Sequence, residues 1–414
     1  MSKSRILSAV DLGTQTVRVV IAEQFFDEHE SIRILGVGEA RSFGIKKGFI
    51  TNPEALSKSL SEAISQAESM SNIPFGEAVV SIGGENIRTK INTGVVGVTR
   101  ADAEVEPQDV TRAISAAERV DLPLNYDIIH ILPCSFKLDG QEVQNPVGMK
   151  GFRLEVEALI ILGFIPQMKQ IRNVLSLCGV DIYEFVLSSL AAVEAVVDQQ
   201  QKESGVALVD LGGMTTNISV YEEGEVLHCS SIGIGSWHVT NDLAMGLRIP
   251  VQLADRIKIE YGTANLKSID KAEDIRLSVL DPSQEENVSR YHMGEIIEAR
   301  FEEIFEKVRE RLKSIEREYS LPNGVILVGG GVEIPEIVDL AKRTLNLPVF
   351  IGYPHNIGGF VDKVNSPSYA TVVGLLFWQI HEADFVSSNR ESGGGSGSLF
   401  IEKLKKWFRA FLPV

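Results

Sequence analysis

The feature that most constrains this chain is a short pattern that occurs twice. VDLGGMTTNISVY at 209–221 and VDLGTQTVRVVI at 10–21 each read as strand, turn, strand. Aligning Asp11 with Asp210 places Leu12, Gly13 and Thr16 on Leu211, Gly212 and Thr215. In the second copy Gly212 and Gly213 lack a Cβ, so the backbone can approach a ligand closely. The turn N–H groups and the hydroxyls of Thr215 and Thr216 can converge on an anion, as backbone nests do on phosphate. Asp210 sits at the lip, where a carboxylate holds hydrated Mg²⁺ or orients a water, and Asp11 stands in its place in the first copy. Alone, Asp-Leu-Gly at a strand end is usually just a turn. Two copies about half a chain apart predict two similar domains that grip one nucleotide's phosphates from both sides.

A chain of 414 residues has room for several domains with large cores. No apolar run reaches the roughly 18 residues that a membrane-spanning helix needs. MSKSRILSAVDLG has no signal-peptide layout, because its apolar stretch leads straight into the first hairpin. Cys134, Cys178 and Cys229 are scattered and match no ligand pattern, which predicts reduced core thiols in a cytosolic protein. The net charge of −16 argues against general nucleic-acid binding.

Between the hairpins, Thr51-Asn52-Pro53 marks a helix start, and Leu56, Leu60, Ala63, Ile64 and Ala67 follow at helical spacing. Residues 84–163 have a different character, β-α-β-β, with strands at 87–98, 128–132 and 154–162, a helix at 108–120 and polar turns at 138–143 and 145–151. They read as a small inserted domain. Helix 166–178 and the stretch 181–197 return to the first domain, and 203–205 crosses to the second half. After the second hairpin come a helix opened near Gly235, a helix ended by Gly262, a polar exposed loop at 263–289 and a long helix at 294–319. GVILVGGGVEIPEI then reads as strand, triple-glycine turn, helix, suited to a flat base or a phosphate above a helix N-terminus. An apolar helix at 369–380 closes the first domain.

The end of the chain changes composition. SSNRESGGGSGS at 387–398 is a flexible linker. In the tail after it, Phe400, Leu404, Trp407, Phe408, Phe411 and Leu412 recur at helical spacing, and Lys403, Lys405, Lys406 and Arg409 lie mostly on the other faces. Such a basic, aromatic, amphipathic helix lies in a membrane interface. At about 1.5 Å per residue it is too short to span a bilayer. Each large apolar side chain offers about 1.5–3 kcal/mol and each base near anionic lipid about 1 kcal/mol. One tail therefore binds reversibly, and several on one polymer bind firmly.

Two phosphate hairpins, a third glycine turn and a helix carrying Asp255 and Lys258 resemble the actin/Hsp70/sugar-kinase nucleotide fold. GIKKGFI, SIGGENI, DVTRAISAAE, IIHILPCSFKLDG, NPVGMKGFRLEVEALII and VILVGGGVEIPEI together resemble the FtsA family of bacterial cell-division proteins, from Arg5 to about Gln379. The resemblance implies an α/β, two-lobed actin-like fold. Its subdomains would be 1A at 1–83 with 164–203 and 366–386, 1C at 84–163, 2A at 204–238 with 320–365, and 2B at 239–319, followed by the linker at 387–398 and a membrane-targeting helix at 399–414. It implies binding of ATP and Mg²⁺, with Asp11 and Asp210 on the metal and Asp210 as the catalytic group. Asp11, Gly13, Thr14, Gln15 and Thr16 match phosphate loop 1, and Asp210, Gly212, Gly213, Thr215 and Thr216 match phosphate loop 2. Gly329, Gly330 and Gly331 match the adenosine motif. Asp255 and Lys258 match the pair that holds ribose and adenine, with a surface salt bridge as the competing reading.

The resemblance further implies a protein that polymerises and tethers the tubulin-like FtsZ to the inner membrane at the division septum, on its cytoplasmic face, and recruits later division proteins. The partner peptide of FtsZ is acidic and apolar, which points to Arg300, Lys307 and Arg311 beside Ile304, unless these bases merely pair with Glu303. Phe400, Lys403, Leu404, Lys406, Trp407, Phe408, Arg409 and Phe411 would meet anionic lipid. Hydrolytic relatives place Glu or Gln near the start of the helix that here begins with Ser188 and Ser189, so hydrolysis is expected to be slow. The alternatives are an actin-like pilus-assembly adaptor, which generally lacks the terminal amphipathic helix, and a small-molecule kinase, for which no further catalytic Asp is evident. A nucleotide-free scaffold would require degenerate phosphate loops, and both are intact.

Overall fold

A computed structural model describes residues 4–25 and 32–387, with side chains to 380. Ser387, expected to open the linker, ends helix Ala370–Ser387, and the rest of the linker and the amphipathic tail at 399–414 lie outside the described residues. The rest forms an α/β molecule with two lobes, each built on a sheet of the same design. The first sheet runs in the order Asp181–Leu187, Glu77–Ile82, Ser4–Leu12, Thr16–Phe25, Ile32–Arg41. The second runs Val349–Ile351, Val325–Val328, Val206–Leu211, Thr216–Glu222, Glu225–Ile232. In both, the hairpin strands pair antiparallel and the strands beyond the Asp-bearing strand pair parallel. Every residue of Val206–Leu211 is buried, as expected for a strand covered on both faces.

Helix Pro53–Ser71 starts where the sequence places it. Asn52 Oδ1 accepts from the Ala55 N–H at 3.1 Å, Pro53 takes the first helical position, and Asn72 ends the helix at φ 56°. Its apolar face rests on the strand Ile32–Arg41 at two glycines. A Cβ on Gly38 would come within 1.8 Å of the Ala63 carbonyl oxygen, so the helix can lie this close only over glycine. A similar crossing ties the lobes together. Helices Ser188–Val196 and Ala370–Ser387 pack where a Cβ on Gly374 would stand 1.7 Å from the Ala191 carbonyl oxygen. Leu190, Val193, Val372 and Leu376 form one cluster with Leu7 and Ala9 of the first sheet and Leu208 and Ile326 of the second. At about 1.5–3 kcal/mol for each large apolar side chain buried, this shared core joins the two sheets.

The insert is a four-stranded sheet, ordered Arg88–Gly97, Arg153–Phe164, Tyr126–Leu138, Gln141–Val143, with helix Pro107–Ala117 packed on it. The polar stretch expected to be a turn at 138–143 includes the edge strand Gln141–Val143. Strand Tyr126–Leu138 also runs past Pro133, because a register shift between Glu157 and Ala158 accommodates the residue that cannot donate to the ladder.

Other expectations are corrected. The stretch 263–289 is no exposed loop: it holds a two-stranded ribbon and buries Ala264, Ile269, Ile275, Leu277, Leu280 and Val288, apolar residues scattered at irregular spacing among polar ones. The long helix is Arg290–Ser314, capped by Ser289 and ended before Glu316, which takes φ 59°. The return to the first lobe comes before residue 365, since Ile357–Gly359 adds a strand beside Ile32–Arg41. All three cysteines are free thiols, and Cys229 is fully buried. No helix among the described residues is long and apolar enough to cross a membrane.

Candidate functional site

Both hairpin turns open onto one cleft of about 640 Å³ between the lobes. Asp11, Gly13, Thr14, Gln15 and Thr16 line it from one side, and Asp210, Gly212, Gly213 and Thr215 from the other. The loops also touch each other. The Met214 N–H donates to Thr14 Oγ1 at 3.1 Å, and a Cβ on Gly213 would come within 2.6 Å of Thr14 Oγ1 and Gln15 Cγ. Gly213 is thus needed for the meeting of the two loops as well as for access to the cleft. The second loop is fixed from behind by helix Ser236–Leu247, whose Ser236 and Trp237 N–H groups donate to the Gly212 and Gly213 carbonyls at 2.9 and 2.7 Å.

Thr216 does not reach the cleft. Successive strand residues face opposite sides, and Thr216 Oγ1 donates to the Ile234 carbonyl at 2.7 Å with no exposure. Its expected place among the anion-facing hydroxyls is therefore corrected.

The two carboxylates are buried in different company. Ser81 Oγ donates to Asp11 Oδ1 at 2.7 Å and accepts from the Leu12 N–H at 3.2 Å. Burial pushes the Asp11 carboxyl up, against the Ser81 hydrogen bond and the Arg18 charge. Asn217 Nδ2 donates to Asp210 Oδ2 at 3.1 Å, and Ser231 Oγ fixes Asn217 by donating to its Oδ1 at 2.8 Å. Burial raises Asp210 to about 7; Asn217 and the Arg18 charge lower it, and the Asp11 charge raises it. Two buried acids this close repel, so the site favours a bound cation.

The triple glycine divides its work. Gly329 has φ +89°, and a Cβ there would lie 2.6 Å from Asp210 Oδ1 and 2.7 Å from the Leu211 carbonyl oxygen. Gly331 packs equally close to the Leu211 side chain, whereas Gly330 borders the cleft with its nearest neighbour, Ser368 Cβ, at 4.0 Å. The expected helix does not follow directly. A 3-10 turn, Gly330–Glu333, and Pro335 intervene, and helix Ile337–Leu345 starts beyond them, so no helix N-terminus stands at the glycines.

Asp255 and Lys258 line the far end of the cleft and are paired there: Lys258 Nζ donates to Asp255 Oδ1 at 2.9 Å and to Thr240 Oγ1 at 2.7 Å. Thr240 in turn donates to Asp255 Oδ1 at 3.1 Å. Ser188 and Ser189 part company. Ser188 lines the cleft, while Ser189 Oγ accepts from Ser219 in the core at 2.7 Å.

Several cleft residues escaped the sequence analysis. Arg18 stacks on the Tyr369 ring, 4.9 Å from its centroid, and pairs with Glu39 at 3.6 Å, while Tyr369 Oη donates to Glu39. Ser81, Asn217 and Gln167 also line the cleft. The signal for Arg18 was a charged residue inside an otherwise apolar strand, VRVVI; Asn217 lies among other polar residues in TNISVY and carried no such signal.

On helix Arg290–Ser314 the expected partner site is changed. Arg300 is held by Asp242 at 2.5 Å and by Glu303, Lys307 approaches Glu303 at 3.9 Å, and Ile304 is fully buried. Ile304 belongs to the inward face of the helix, so it offers no surface to a partner; Arg311 is exposed.

Residues 207–374 match a family model described as "Cell division protein FtsA", and 84–162 match one described as "SHS2 domain inserted in FTSA". The Cell division protein FtsA of Pseudomonas aeruginosa is 32% identical over 413 residues, 98% of each chain. Among solved structures, the PilM-PilN type IV pilus biogenesis complex is similar with a TM-score of 0.65 at 13% identity, over 90% of this chain and 98% of that chain. MreB5 of Spiroplasma citri bound to ADP is similar with a TM-score of 0.53 at 15% identity, over 94% of this chain and 99% of that chain. At these identities the structural likeness carries the fold alone.

Proposed function

The chain belongs to the FtsA family of cell-division proteins, and from that premise we propose that it binds Mg-ATP between its lobes, polymerises with that ligand bound, and tethers FtsZ to the inner membrane at the division septum. The observation that carries the nucleotide reading is the convergence of both hairpin turns and the glycine turn on one cleft of about 640 Å³ with two buried carboxylates in its wall. The donor set fits. Mg²⁺ keeps several waters and takes one or two carboxylates plus phosphate oxygens, and Asp11 and Asp210 supply two. Among the described residues no group of three or more His, Cys, Asp or Glu forms a closed metal cage. When bound, the metal supplies positive charge to the phosphate oxygens.

In this reading the turns Gly13 to Thr16 and Gly212 to Thr215 hold the phosphates through N–H and hydroxyl groups. Asp255 and Lys258 hold the ribose and adenine, with Gly330 as open floor. Asp210 orients the attacking water, and Ser188 at the helix start makes turnover slow. An acidic peptide of FtsZ docks at Arg300, Lys307 and Arg311, in competition with Asp242 and Glu303. The tail, through Phe400, Lys403, Leu404, Lys406, Trp407, Phe408, Arg409 and Phe411, takes the chain to anionic lipid, and polymerisation multiplies its hold.

Co-sedimentation with anionic liposomes tests this, with and without Mg-ATP, for the full chain and for one truncated before Leu399. Pelleting of the full chain alone, strengthened cooperatively by Mg-ATP, is the expected result. If both chains remain in the supernatant under every condition, the tether reading is wrong.

A further inference from the structure

One corner of the cleft holds two side chains to which the nucleotide reading gives no task. Ile259 and Glu333 line it, beside Lys258, Gly330 and Ile334. Two hydrogen bonds join its walls. The Ala264 N–H donates to the Pro335 carbonyl at 2.9 Å, and Thr263 Oγ1 donates to Glu336 Oε2 at 3.0 Å. They tie the end of helix Val251–Tyr261, which carries Ile259, to the stretch that follows Glu333. That helix buries Leu253, Ala254 and Ile257 in the second lobe. Ile259 points away from them and is 68% exposed, a large apolar side chain that packs on nothing yet borders the cleft. Gly330 borders the same space without a side chain. The two acids of this corner differ. Asp255 Oδ1 already accepts from Lys258 and Thr240. Glu333 is held from one side only: Ser366 Oγ donates to its Oε1 at 2.9 Å, and Ser368 Oγ lies 2.8 Å from Ser366 Oγ. The carboxylate is thus oriented, and its Oε2 has no hydrogen bond or ion pair among the described residues. An apolar surface with one convergent polar group is the usual make-up of a site that both binds and discriminates.

We propose that Glu333 selects the base of the bound nucleotide, accepting adenine and rejecting a purine with a carbonyl in place of the exocyclic amine, and that Ile259 covers the ring. The inference rests on the nucleotide reading above and deepens it. Adenine's exocyclic amine is a donor, whereas guanine and hypoxanthine present a carbonyl, an acceptor, at the same ring position. A carboxylate accepts and does not donate. Glu333 Oε2 therefore gains a hydrogen bond from adenine and faces a second acceptor in the other purines, which leaves both oxygens unpaired. Ile259 covers any purine equally. The apolar side chain supplies affinity, and the carboxylate supplies choice. A Glu333 that serves only to hold Ser366 would give the site no preference between the bases.

The test is calorimetric titration of the nucleotide-free full chain with Mg-ATP and, separately, with Mg-ITP, which carries the carbonyl but lacks guanine's second amine. The wild-type chain is expected to bind ATP about tenfold more tightly than ITP, or better. Glu333→Gln keeps an acceptor for Ser366 and offers an amide that can either accept from an amine or donate to a carbonyl. It should bring the two affinities within about threefold of each other, mainly by a gain for ITP. Ile259→Ala changes an exposed side chain, so the fold is not at stake. It should weaken ATP and ITP alike, by about three- to tenfold, and leave their ratio as it was. A ratio that Glu333→Gln does not change overturns the selection, and so does a wild-type chain that binds both nucleotides equally; in both cases the nucleotide reading stands. A wild-type chain that binds neither nucleotide sinks the nucleotide reading itself, and the selection with it.

Discussion

The two hairpins have one backbone and unlike partners. Asp11 faces Arg18 across the first, and Asp210 faces Asn217 across the second, at the same register position. The equivalence extends to the neighbouring parallel strands, where Ala9 pairs with Val79 and Leu208 with Ile326. What differs is the side chain opposite each acid. Arg18 is a cation held by Glu39 and Tyr369. Asn217 is a neutral amide held by Ser231. The duplication therefore builds a symmetric cradle, and the unequal partners give its two acids different electrostatics. Burial dominates at Asp210, which titrates near neutrality, and a divalent cation in the cleft would restore its full charge.

The largest expected effect comes from breaking the backbone equivalence. Ile82 and Gly329 each stand three residues beyond an equivalent strand pair, Val79 with Ala9 and Ile326 with Leu208. The first lobe tolerates a side chain there and the second does not. Gly329→Ala places a Cβ 2.7 Å from the Leu211 carbonyl oxygen at φ +89°. It should cost about 2 kcal/mol or more in denaturant unfolding and weaken nucleotide binding. Ile82→Val should cost only about 0.5–1.5 kcal/mol. Equal costs would show that the glycine is not forced by its neighbours.

Next comes the electrostatic difference, which shows as a pH dependence. A carboxyl raised in the folded state contributes stability that is fully present below its unfolded value of 3.8. That contribution is lost as pH rises through the folded value of about 7. The nucleotide-free chain should therefore lose stability through Asp210 between about pH 4 and pH 7 and level off above that, by at most about 1.4 kcal/mol for each step of one in pH. Asp210→Asn should reduce that slope, the buried Glu225 and Asp11 carboxyls carrying the rest, and raise the melting temperature at pH 8, while abolishing tight Mg-ATP binding. Asp11→Asn, which leaves Asp210 with the Arg18 charge but without its acidic neighbour, should reduce the slope without removing it. A slope that survives intact in Asp210→Asn would assign it to other groups.

The hairpins were legible because their chemistry is local. An Asp, a glycine turn and a threonine within six positions specify strand, turn and strand whatever surrounds them. The cleft's supporting residues were not, because their partners are distant in the chain: Ser81 with Asp11, Gln167 with Gly48 and Gly83, Tyr369 with Glu39. Nothing in the periodicity of helix Ile165–Leu177 separates a glutamine that faces the cleft from one that faces water. The ribbon inside 263–289 was hidden for a similar reason. Its strands, Asp274–Arg276 and Asn287–Ser289, are too short to show alternation, and its buried residues take their places from helix Arg290–Ser314. The glycines carried a double meaning. Their lack of a Cβ was read as room for a ligand, and at Gly213, Gly329 and Gly331 it is also room for another part of the chain.

The smallest effect is also the sharpest test of that double meaning, because it lies within one hairpin. Thr215 and Thr216 are adjacent and chemically identical, and the change from turn to strand between them leaves one at the cleft and the other in the core. Thr215 lines the cleft, and Thr216 donates to the Ile234 carbonyl, which fixes the strand Thr216–Glu222 to the stretch before helix Ser236–Leu247. Thr216→Val preserves the shape and removes a buried hydrogen bond, so it should cost about 1 kcal/mol of stability with nucleotide affinity unchanged. Thr215→Val should leave stability within about 0.5 kcal/mol and weaken Mg-ATP binding severalfold. The two substitutions remove the same hydroxyl from neighbouring positions, so their effects should separate onto two instruments, calorimetry for one and titration for the other. If Thr216→Val weakens binding as much as Thr215→Val, the second turn responds to its core side as strongly as to its cleft side, and the hairpin acts as one unit rather than as two faces.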